Sequence, residues 1–286
     1  MPDDLPKQRQ FDWTEDRSLK NSIFHAECSI RERGIGYEFT CMKFLKSIVG
    51  LFIVIYLVPT LASAGVWYMR DRPQSWREAD WGSAGILPRP QDVSEATIHV
   101  FSATTGGMKG SVASHAWIVT KAANAGHYNR YDKVGWGAPV RRNNYAADAY
   151  WYSNTPRLVV SLQGAEAARL IPRIEAVIAA YPHSEAGGYR MWPGPNSNTF
   201  VAHILRSVPE LGVVLPPDAI GRDYLPDGRF FAIDADGRDV HATLYGLLGI
   251  SAGARSGLEL HALGLVAGVD IVRPGLKIPA IGRIGF

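Results

Sequence analysis

Two polar residues, His115 and Ser197, stand where their side chains could carry out acyl-transfer chemistry. His115 opens a segment of strand composition, SHAWIVTK, and Ser197 stands at the start of a helical pattern further along the chain. A hydroxyl at a helix start lies near free N–H groups and the positive end of the helix dipole, which favour a developing oxyanion. A strand-borne histidine can act as its base if the fold brings the two together. The pattern allows two interpretations, a catalytic pair or an N-cap serine with a half-buried histidine.

A second serine, Ser251, lies at the centre of a G-x-S-x-G pattern at 249–253, which is typical of a nucleophile elbow. In hydrolases with this motif an acid and a histidine follow the serine, and here only Glu259 and His261 have that order. These two residues stand too close together in sequence for that fold. We therefore expect a glycine-rich turn at 249–253.

The remaining motifs do not support metal or nucleotide chemistry. The segment 234–239, DADGRD, resembles a calcium loop but has neither its third alternating ligand nor its closing glutamate. We expect a solvated hairpin turn there. The histidines lack metal-ligand spacing, and no glycine-rich phosphate loop follows a strand. The sequence thus predicts no metal and no cofactor.

Composition and charge narrow the class of protein. The 286 residues are 47% hydrophobic and 20% charged, which is too apolar for a disordered chain and sufficient for a packed core. The formal net charge of +3 is too small to indicate nucleic acid as the partner. Cys28 and Cys41 both precede Met42, so the body of the chain is free of thiols, as suits an envelope compartment.

An uncharged segment at 47–68 is the most specific signal for localisation. It contains the apolar block IVGLFIVIYLV, the helix breaker Pro59 and a small-residue triplet that ends at Ala64, with two lysines just before it. A basic start, an apolar block and an Ala-x-Ala triplet are typical of a secretory signal peptide. About 20 apolar residues also suffice to span a bilayer.

We therefore interpret 42–68 as a signal peptide or a membrane anchor. If translation starts at Met42, cleavage after Ala64 releases the body into the periplasm; if it starts at Met1, the segment stays as an anchor and 1–41 is a polar cytoplasmic tail. The charge asymmetry across the segment only weakly favours this orientation. The expected partner is the bacterial inner membrane, with the C-terminal domain outside the cytoplasm.

Residues 69–95 are predicted to be a linker or lid with Trp76 and Trp81 packed on the domain, and 96–286 a single α+β domain. Strands are predicted at 97–103, 115–121, 131–140 and 157–162. A helix is predicted at 165–181, with a regular part that starts late because of Pro172, and a second helix from Asn196 or Ser197. Two further strands within 230–250 are joined by a turn at Asp236-Gly237.

The apolar C-terminal tail has two interpretations. Its large side chains are those of Leu276, Ile278, Ile281, Ile284 and Phe286, interrupted by Lys277 and Arg283. We expect these side chains to pack against the domain. The alternative is that they lie on a membrane surface.

Four segments of the body resemble an uncharacterised bacterial family, domain of unknown function 3750. They are SHAWIVTK at 114–121, PGPNSNTFV at 193–201, GLELHALGLVAG at 257–268 and GLKIPAIGRIGF at 275–286. This resemblance implies no established activity. A more distant resemblance is to the circularly permuted papain-like hydrolases of the NlpC type, in which a strand histidine precedes a cysteine at a helix start.

The papain-like resemblance places Ser197 in the position of the cysteine and His115 in that of the histidine. A thiol ionises readily beside an imidazole, whereas a serine hydroxyl depends on base assistance during attack. The substitution leaves either a Ser–His hydrolase or a catalytically silent relative. The residue that orients the histidine is left open among His127, Asn129 and Asp132.

The fold expected from the sequence is α+β: an antiparallel sheet with packed helices and a permuted papain-like core, preceded by one transmembrane or signal segment. The expected function is that of a membrane-anchored envelope protein whose cleft is catalytically silent and binds a small molecule or peptide of the envelope. The alternative is a hydrolase or acyltransferase that uses Ser197 and His115 on amide or ester bonds of envelope components.

Overall fold

The apolar N-terminal segment forms one long helix. The computed structural model describes residues 42–285, so the predicted tail 1–41, both cysteines and Phe286 lie outside the described residues. The chain divides into two compact units, residues 1–53 and 54–286. Helix α1, Met42–Met69, is long and apolar enough to cross a membrane, a test that a signal sequence also passes. In the first unit, the described residues are helical and their apolar side chains are exposed.

The expected helix break at Pro59 is wrong, because α1 continues through it to Met69. A π-helical turn, Ile53–Leu57, directly precedes the proline-containing turn. This wider turn accommodates the position at which proline lacks its N–H donor.

The last turns of α1 pack on a short 3₁₀ turn, Gly107–Ser111. The Ser63 hydroxyl donates to the Ser111 carbonyl at 2.7 Å. Trp67 is buried, and a Cβ added to Gly110 would lie 2.5 Å from its ring. Only glycine therefore lets the indole approach the turn this closely.

A five-stranded antiparallel sheet follows, in the order β4-β3-β2-β1-β5. Its strands are β1 Thr97–Thr104, β2 Ser114–Lys121, β3 Asn129–Lys133, β4 Val140–Arg142 and β5 Arg157–Gln163. The single strand predicted at 131–140 is wrong, since a loop separates β3 from β4. This loop holds Gly135, Gly137 at φ +66° and Pro139, which do not favour a continuous strand.

Two helices cover one face of this sheet, α2 Gly164–Ala179 and α3 Ser197–Ser207. Their apolar faces bury Leu170, Ile174, Phe200 and Ile204 against side chains of β1 and β2. The late start expected for α2 is wrong, because the helix begins at Gly164 and includes Pro172. Burial of its apolar face outweighs the one backbone hydrogen bond that the proline lacks.

After Met69, the last residue of α1, the predicted linker or lid runs irregularly to residue 95, with one 3₁₀ turn at Pro90–Asp92. Trp81 packs as predicted, since its ring contacts Tyr145, Trp151 and Tyr152 above the other face of the sheet. The expectation for Trp76 is wrong, because that side chain is 58% exposed.

A seven-stranded antiparallel meander forms the C-terminal part, in the order β12-β11-β10-β9-β8-β7-β6. Its strands are β6 Phe231–Ile233, β7 Asp239–Leu244, β8 Leu248–Gly253, β9 Gly257–Ala262, β10 Leu265–Asp270, β11 Gly275–Ile278 and β12 Gly282–Gly285. The predicted turn at Asp236-Gly237 joins β6 to β7, with Gly237 at φ +73°. The predicted α+β class with antiparallel sheets is confirmed.

The expected packing of the C-terminal tail is wrong for three of its five large apolar side chains. Leu276, Ile281 and Ile284 are all exposed, although β11 and β12 pair regularly with the sheet. The strands of the tail are thus held by their backbone hydrogen bonds, while these apolar side chains face outward.

Candidate functional site

A buried asparagine connects α3 to the strand that carries His115. The Asn198 side chain accepts from the Ala116 N–H at 3.0 Å and donates to the Ser114 carbonyl at 2.9 Å. It also donates to the Ile220 carbonyl at 2.9 Å. Because Ser114 and Ala116 flank His115 and Asn198 follows Ser197, one amide fixes the backbone beside both predicted site residues.

Ser197 is the first residue of α3, and the N-cap is Asn196, one of the two caps predicted. The Asn196 side chain accepts from the N–H groups of Asn198 and Thr199, and Thr199 Oγ1 accepts from the Asn196 N–H in return. This reciprocal arrangement is a capping box. The Ser197 hydroxyl and N–H take no part in the cap, so both stay at the positive end of the helix.

His115 contacts a buried carboxylate on the neighbouring strand. Its Nε2 lies 3.4 Å from Asp132 Oδ2, and both side chains are almost fully buried. Asp132 Oδ2 also lies 3.5 Å from the Arg130 guanidinium, whose Nη1 donates to the Ala146 carbonyl. With Nε2 directed at Asp132, the Nδ1 atom of His115 remains for a second partner.

The imidazole is held flat against an indole. The rings of His115 and Trp151 stack with centroids 3.7 Å apart and an interplanar angle of 3°. Burial lowers the pKa of His115, and the neighbouring Asp132 only partly opposes this. Burial by itself raises the pKa of Asp132, but His115 and Arg130 outweigh it and the pKa is lowered. At neutral pH the pair is therefore a neutral imidazole beside a carboxylate.

His115 and Ser197 line the same pocket, whose volume is about 190 Å³. The rest of its wall includes Lys109 from the 3₁₀ turn and the Tyr189 and Trp192 side chains from the loop before α3. The structure thus brings together the two residues that the sequence selected. A small acyl group fits a space of this size, with aromatic walls and a cationic side chain at hand.

Of the three residues left open as partners of the histidine, the structure places only Asp132 against it. His127 is exposed, and the Asn129 side chain accepts from Arg142 at 3.1 Å. Trp151 and Asn198 were missed by the sequence reasoning. Asn198 stands within the motif PGPNSNTFV, directly after Ser197, and that adjacency is the signal that could have identified it.

A second Ser–His–Asp group lies in the seven-stranded sheet. His241 Nδ1 is 2.9 Å from the Ser251 hydroxyl, and His241 Nε2 is 2.9 Å from Asp234 Oδ1. The pocket beside them has a volume of about 30 Å³, enough for one or two waters but not for a substrate. These hydrogen bonds therefore satisfy buried polar groups and offer no room for acyl transfer.

One expectation about this region is wrong. Ser251 lies inside strand β8 instead of in a glycine-rich turn, and its histidine precedes it in the chain. The expected solvated hairpin turn is present, with residues 235–238 exposed, while Asp234 and Asp239 at its two ends are buried. Both carboxylates pair with Arg255, at 3.0 and 2.9 Å respectively. Within residues 42–285, no group of three or more His, Cys, Asp or Glu is placed to hold a metal ion.

The fold and the pocket define an α+β domain with a serine at a helix start, opposite a strand histidine. Residues 95–224, which contain both site residues, match the family described as protein of unknown function (DUF3750). The predicted resemblance to that family is confirmed for this segment, and its first two motifs fall within it. No curated protein and no solved structure matches the chain, so the papain-like resemblance is not confirmed.

Proposed function

We propose that the protein is a membrane-anchored enzyme of the bacterial envelope that transfers or hydrolyses acyl groups with Ser197, His115 and Asp132. The single observation that carries this proposal is the shared pocket of Ser197 and His115, with Asp132 behind the imidazole at 3.4 Å. A silent cleft would not need a buried carboxylate next to its histidine, since a neutral imidazole alone is less costly to bury than one beside an ionised carboxylate.

The chemistry follows from the different partners of the two imidazole nitrogens. Neutral His115 takes the Ser197 hydroxyl proton at Nδ1 while Oγ attacks the carbonyl carbon of an ester or amide. The lowered pKa of Asp132 keeps it ionised, so that it orients the ring and stabilises the imidazolium. The imidazolium then protonates the leaving alcohol or amine, and an acyl ester remains on Ser197. Water or a second acceptor, deprotonated by His115, removes the acyl group.

The start of α3 supplies stabilisation for the oxyanion. The capping box occupies the N–H groups of Asn198 and Thr199 and leaves that of Ser197 outside it. Donation from this N–H, together with the helix dipole, favours the tetrahedral intermediate. The nucleophile and its oxyanion donor thus belong to one residue that Asn198 fixes relative to β2.

Retention of α1 as an anchor is supported by its contacts. Cleavage after Ala64 would remove Ser63, which bonds to the Ser111 carbonyl, and Tyr56, which bonds to the Leu260 carbonyl at 2.9 Å. Helix residues that are built into the domain favour an anchor over a signal peptide. With the body outside the cytoplasm, ester and amide bonds of cell-wall peptides or lipid-linked acyl groups are the substrates within reach.

A serine-directed fluorophosphonate probe tests the proposed nucleophile. The full-length protein in membranes should be labelled, and peptide mass spectrometry should place the label on Ser197. The Ser197→Ala variant should lose labelling, while Ser207→Ala, at the other end of the same helix, should keep it. Equal labelling of wild type and Ser197→Ala, or an unlabelled but folded wild type, would refute the enzyme and favour the silent cleft.

A further inference from the structure

The outward face of the seven-stranded sheet is entirely apolar. In the pairing register, Ala242 of β7 lies opposite Ile250 of β8, Ile250 opposite Leu260 of β9, and Leu260 opposite Ala267 of β10. Extending these rows over β6–β12 gives a face on which every paired position carries an apolar side chain or glycine. We call this surface the apolar sheet face. Many of its side chains are exposed, Leu248 by 55% and Leu260 by 53%.

The opposite face of the same strands is polar and buried. It carries Asp239, Glu259, His261 and Lys277, none of which is more than 5% exposed. Glu259 pairs with Arg222 at 2.6 Å and also with Lys277. An antiparallel sheet of a soluble protein normally turns its apolar face to the core and its polar face to water. Here that arrangement is reversed.

A reversed sheet needs an apolar environment on its outer side. Soluble proteins rarely expose contiguous apolar patches larger than a few hundred Å². The backbone N–H and C=O groups inside the sheet are already hydrogen-bonded between strands, so they do not need water. In this sheet, unpaired backbone groups lie along the edge strands β6 and β12.

Helix α1 indicates what covers this face. Tyr56, in the middle of α1, lies on the sheet's outer side, where it packs with Ala262 and Ala267. Both alanines belong to the apolar sheet face, and the Tyr56 hydroxyl donates to the Leu260 carbonyl. Around Tyr56, the side chains of Val54, Leu57 and Leu61 are exposed. The apolar surface of the helix therefore continues directly into that of the sheet.

We propose that the apolar sheet face lies against the lipids of the bilayer that α1 enters. A membrane that surrounds α1 near Tyr56 meets the adjoining rows of Leu260, Ile250 and Val269 at the same depth. The domain then attaches to lipid through a helix and a sheet, and the bilayer covers the side chains that water would otherwise contact. Since this rests on the proposed anchoring by α1, the experiment must separate the two.

Nitroxide labels on the full-length protein in phosphatidylcholine–phosphatidylglycerol vesicles test the sheet face. With Cys28 and Cys41 replaced by serine, single cysteines are introduced as Ile250→Cys, Leu260→Cys and, as a control, Glu166→Cys on the polar surface of α2. We expect collisions of the first two labels with oxygen to exceed those with an aqueous nickel chelate severalfold. The control label should show the opposite ratio.

Three results would overturn the proposal. If the sheet labels respond to the nickel chelate like the control, the face lies in water. If they are shielded from both reagents and broaden one another's spectra, a second copy of the chain covers the face instead. Release of the protein from vesicles by alkaline carbonate would show that α1 is no anchor, and both proposals would fail. Resistance to carbonate with water-exposed sheet labels would refute the sheet face alone.

Discussion

The protein has two Ser–His–Asp groups. The group with the shorter hydrogen bonds has little space for a substrate, and the group with the longer contact has more. The group of Ser251 has two contacts of 2.9 Å but adjoins a pocket of about 30 Å³. The group of Ser197 has a longer histidine–carboxylate contact of 3.4 Å but opens into about 190 Å³ at a helix start. Space for a substrate and donors for an oxyanion make the group of Ser197 the better candidate for a catalytic site, although its hydrogen bonding is less close.

The largest difference between the two groups should come from their histidines. His115→Gln should reduce the rate of fluorophosphonate labelling by about 10²–10⁴-fold, because general-base assistance is lost. The matched variant His241→Gln should leave the rate unchanged. Stopped labelling reactions quantified by gel fluorescence would measure both. A similar loss of labelling rate in the two variants would mean that the two histidines do not differ in function.

The pH dependence of labelling sharpens the role of His115. Attack requires the neutral imidazole, and burial lowers the pKa of His115 below its ordinary 6.5. Labelling should therefore stay constant from pH 8 down to 6.5 and fall only below that value. A fall in the labelling rate centred above pH 6.5 would contradict the buried position of the base.

The next largest effect concerns stability in the seven-stranded sheet. Glu259→Gln leaves the buried cations of Arg222 and Lys277 without their carboxylate and should lower the free energy of unfolding by about 3–5 kcal/mol. The control Glu210→Gln removes an exposed pair with Arg173 and should change it by about 0–1 kcal/mol. Denaturant titration of each variant would measure the difference. Equal effects would mean that burial of the pair is not important for stability.

The same carboxylate should make stability depend on pH. Burial raises the pKa of Glu259, but Arg222, His261 and Lys277 outweigh burial and lower it well below its ordinary 4.5. Its stabilisation is thus complete above pH 4.5 and is lost as the pH falls toward the folded-state pKa. The wild type should lose more stability than Glu259→Gln between pH 5 and 3.

An intermediate effect is expected at Asn198. Asn198→Ala removes the three hydrogen bonds that hold α3 to β2 and to the Ile220 carbonyl, and should cost about 2 kcal/mol of stability. It should also slow labelling of Ser197, because the nucleophile is no longer fixed relative to its base. Asn198→Asp keeps the acceptor for Ala116 but places a buried carboxylate oxygen against the Ser114 and Ile220 carbonyls, so it should label no faster than Asn198→Ala. Loss of stability without slower labelling would refute the positioning role.

The smallest effect is expected at Ser251. Ser251→Ala removes its hydrogen bond to His241 and should lower the free energy of unfolding by about 1 kcal/mol. Labelling should not change, since the label is expected on Ser197. Any decrease in labelling that exceeds the loss of folded protein would show that the second group takes part in the chemistry.

Local patterns predicted most of the elements around the candidate site. The strand of His115, the hydrophobic face of α2 and the cap of α3 follow from alternation, helical spacing and capping residues, and all three are present. Asp132 could not be chosen from among three polar residues, because the choice depends on which side chain of β3 faces His115. Trp151 stacks on the imidazole from a distant loop, a contact that has no local signal.

The reversed sheet shows a different limit of sequence reasoning. Strand β9 is not among the predicted elements, although its segment LELHA alternates apolar and polar side chains. Alternation alone does not say which face turns toward the protein. Because polar residues usually face water, Glu259 and His261 would be placed outside, yet both are buried. The partners that permit this, Arg222 and Asp223, precede them in another segment.

The 3₁₀ turn Gly107–Ser111 connects helix α1 to the candidate pocket. Trp67 and Ser63 hold one side of it, and Lys109 on the same turn contributes to the pocket wall. In mechanical terms, α1 and the pocket wall are joined through one turn of five residues. We therefore expect a tilt of α1 to act on the pocket wall through Lys109.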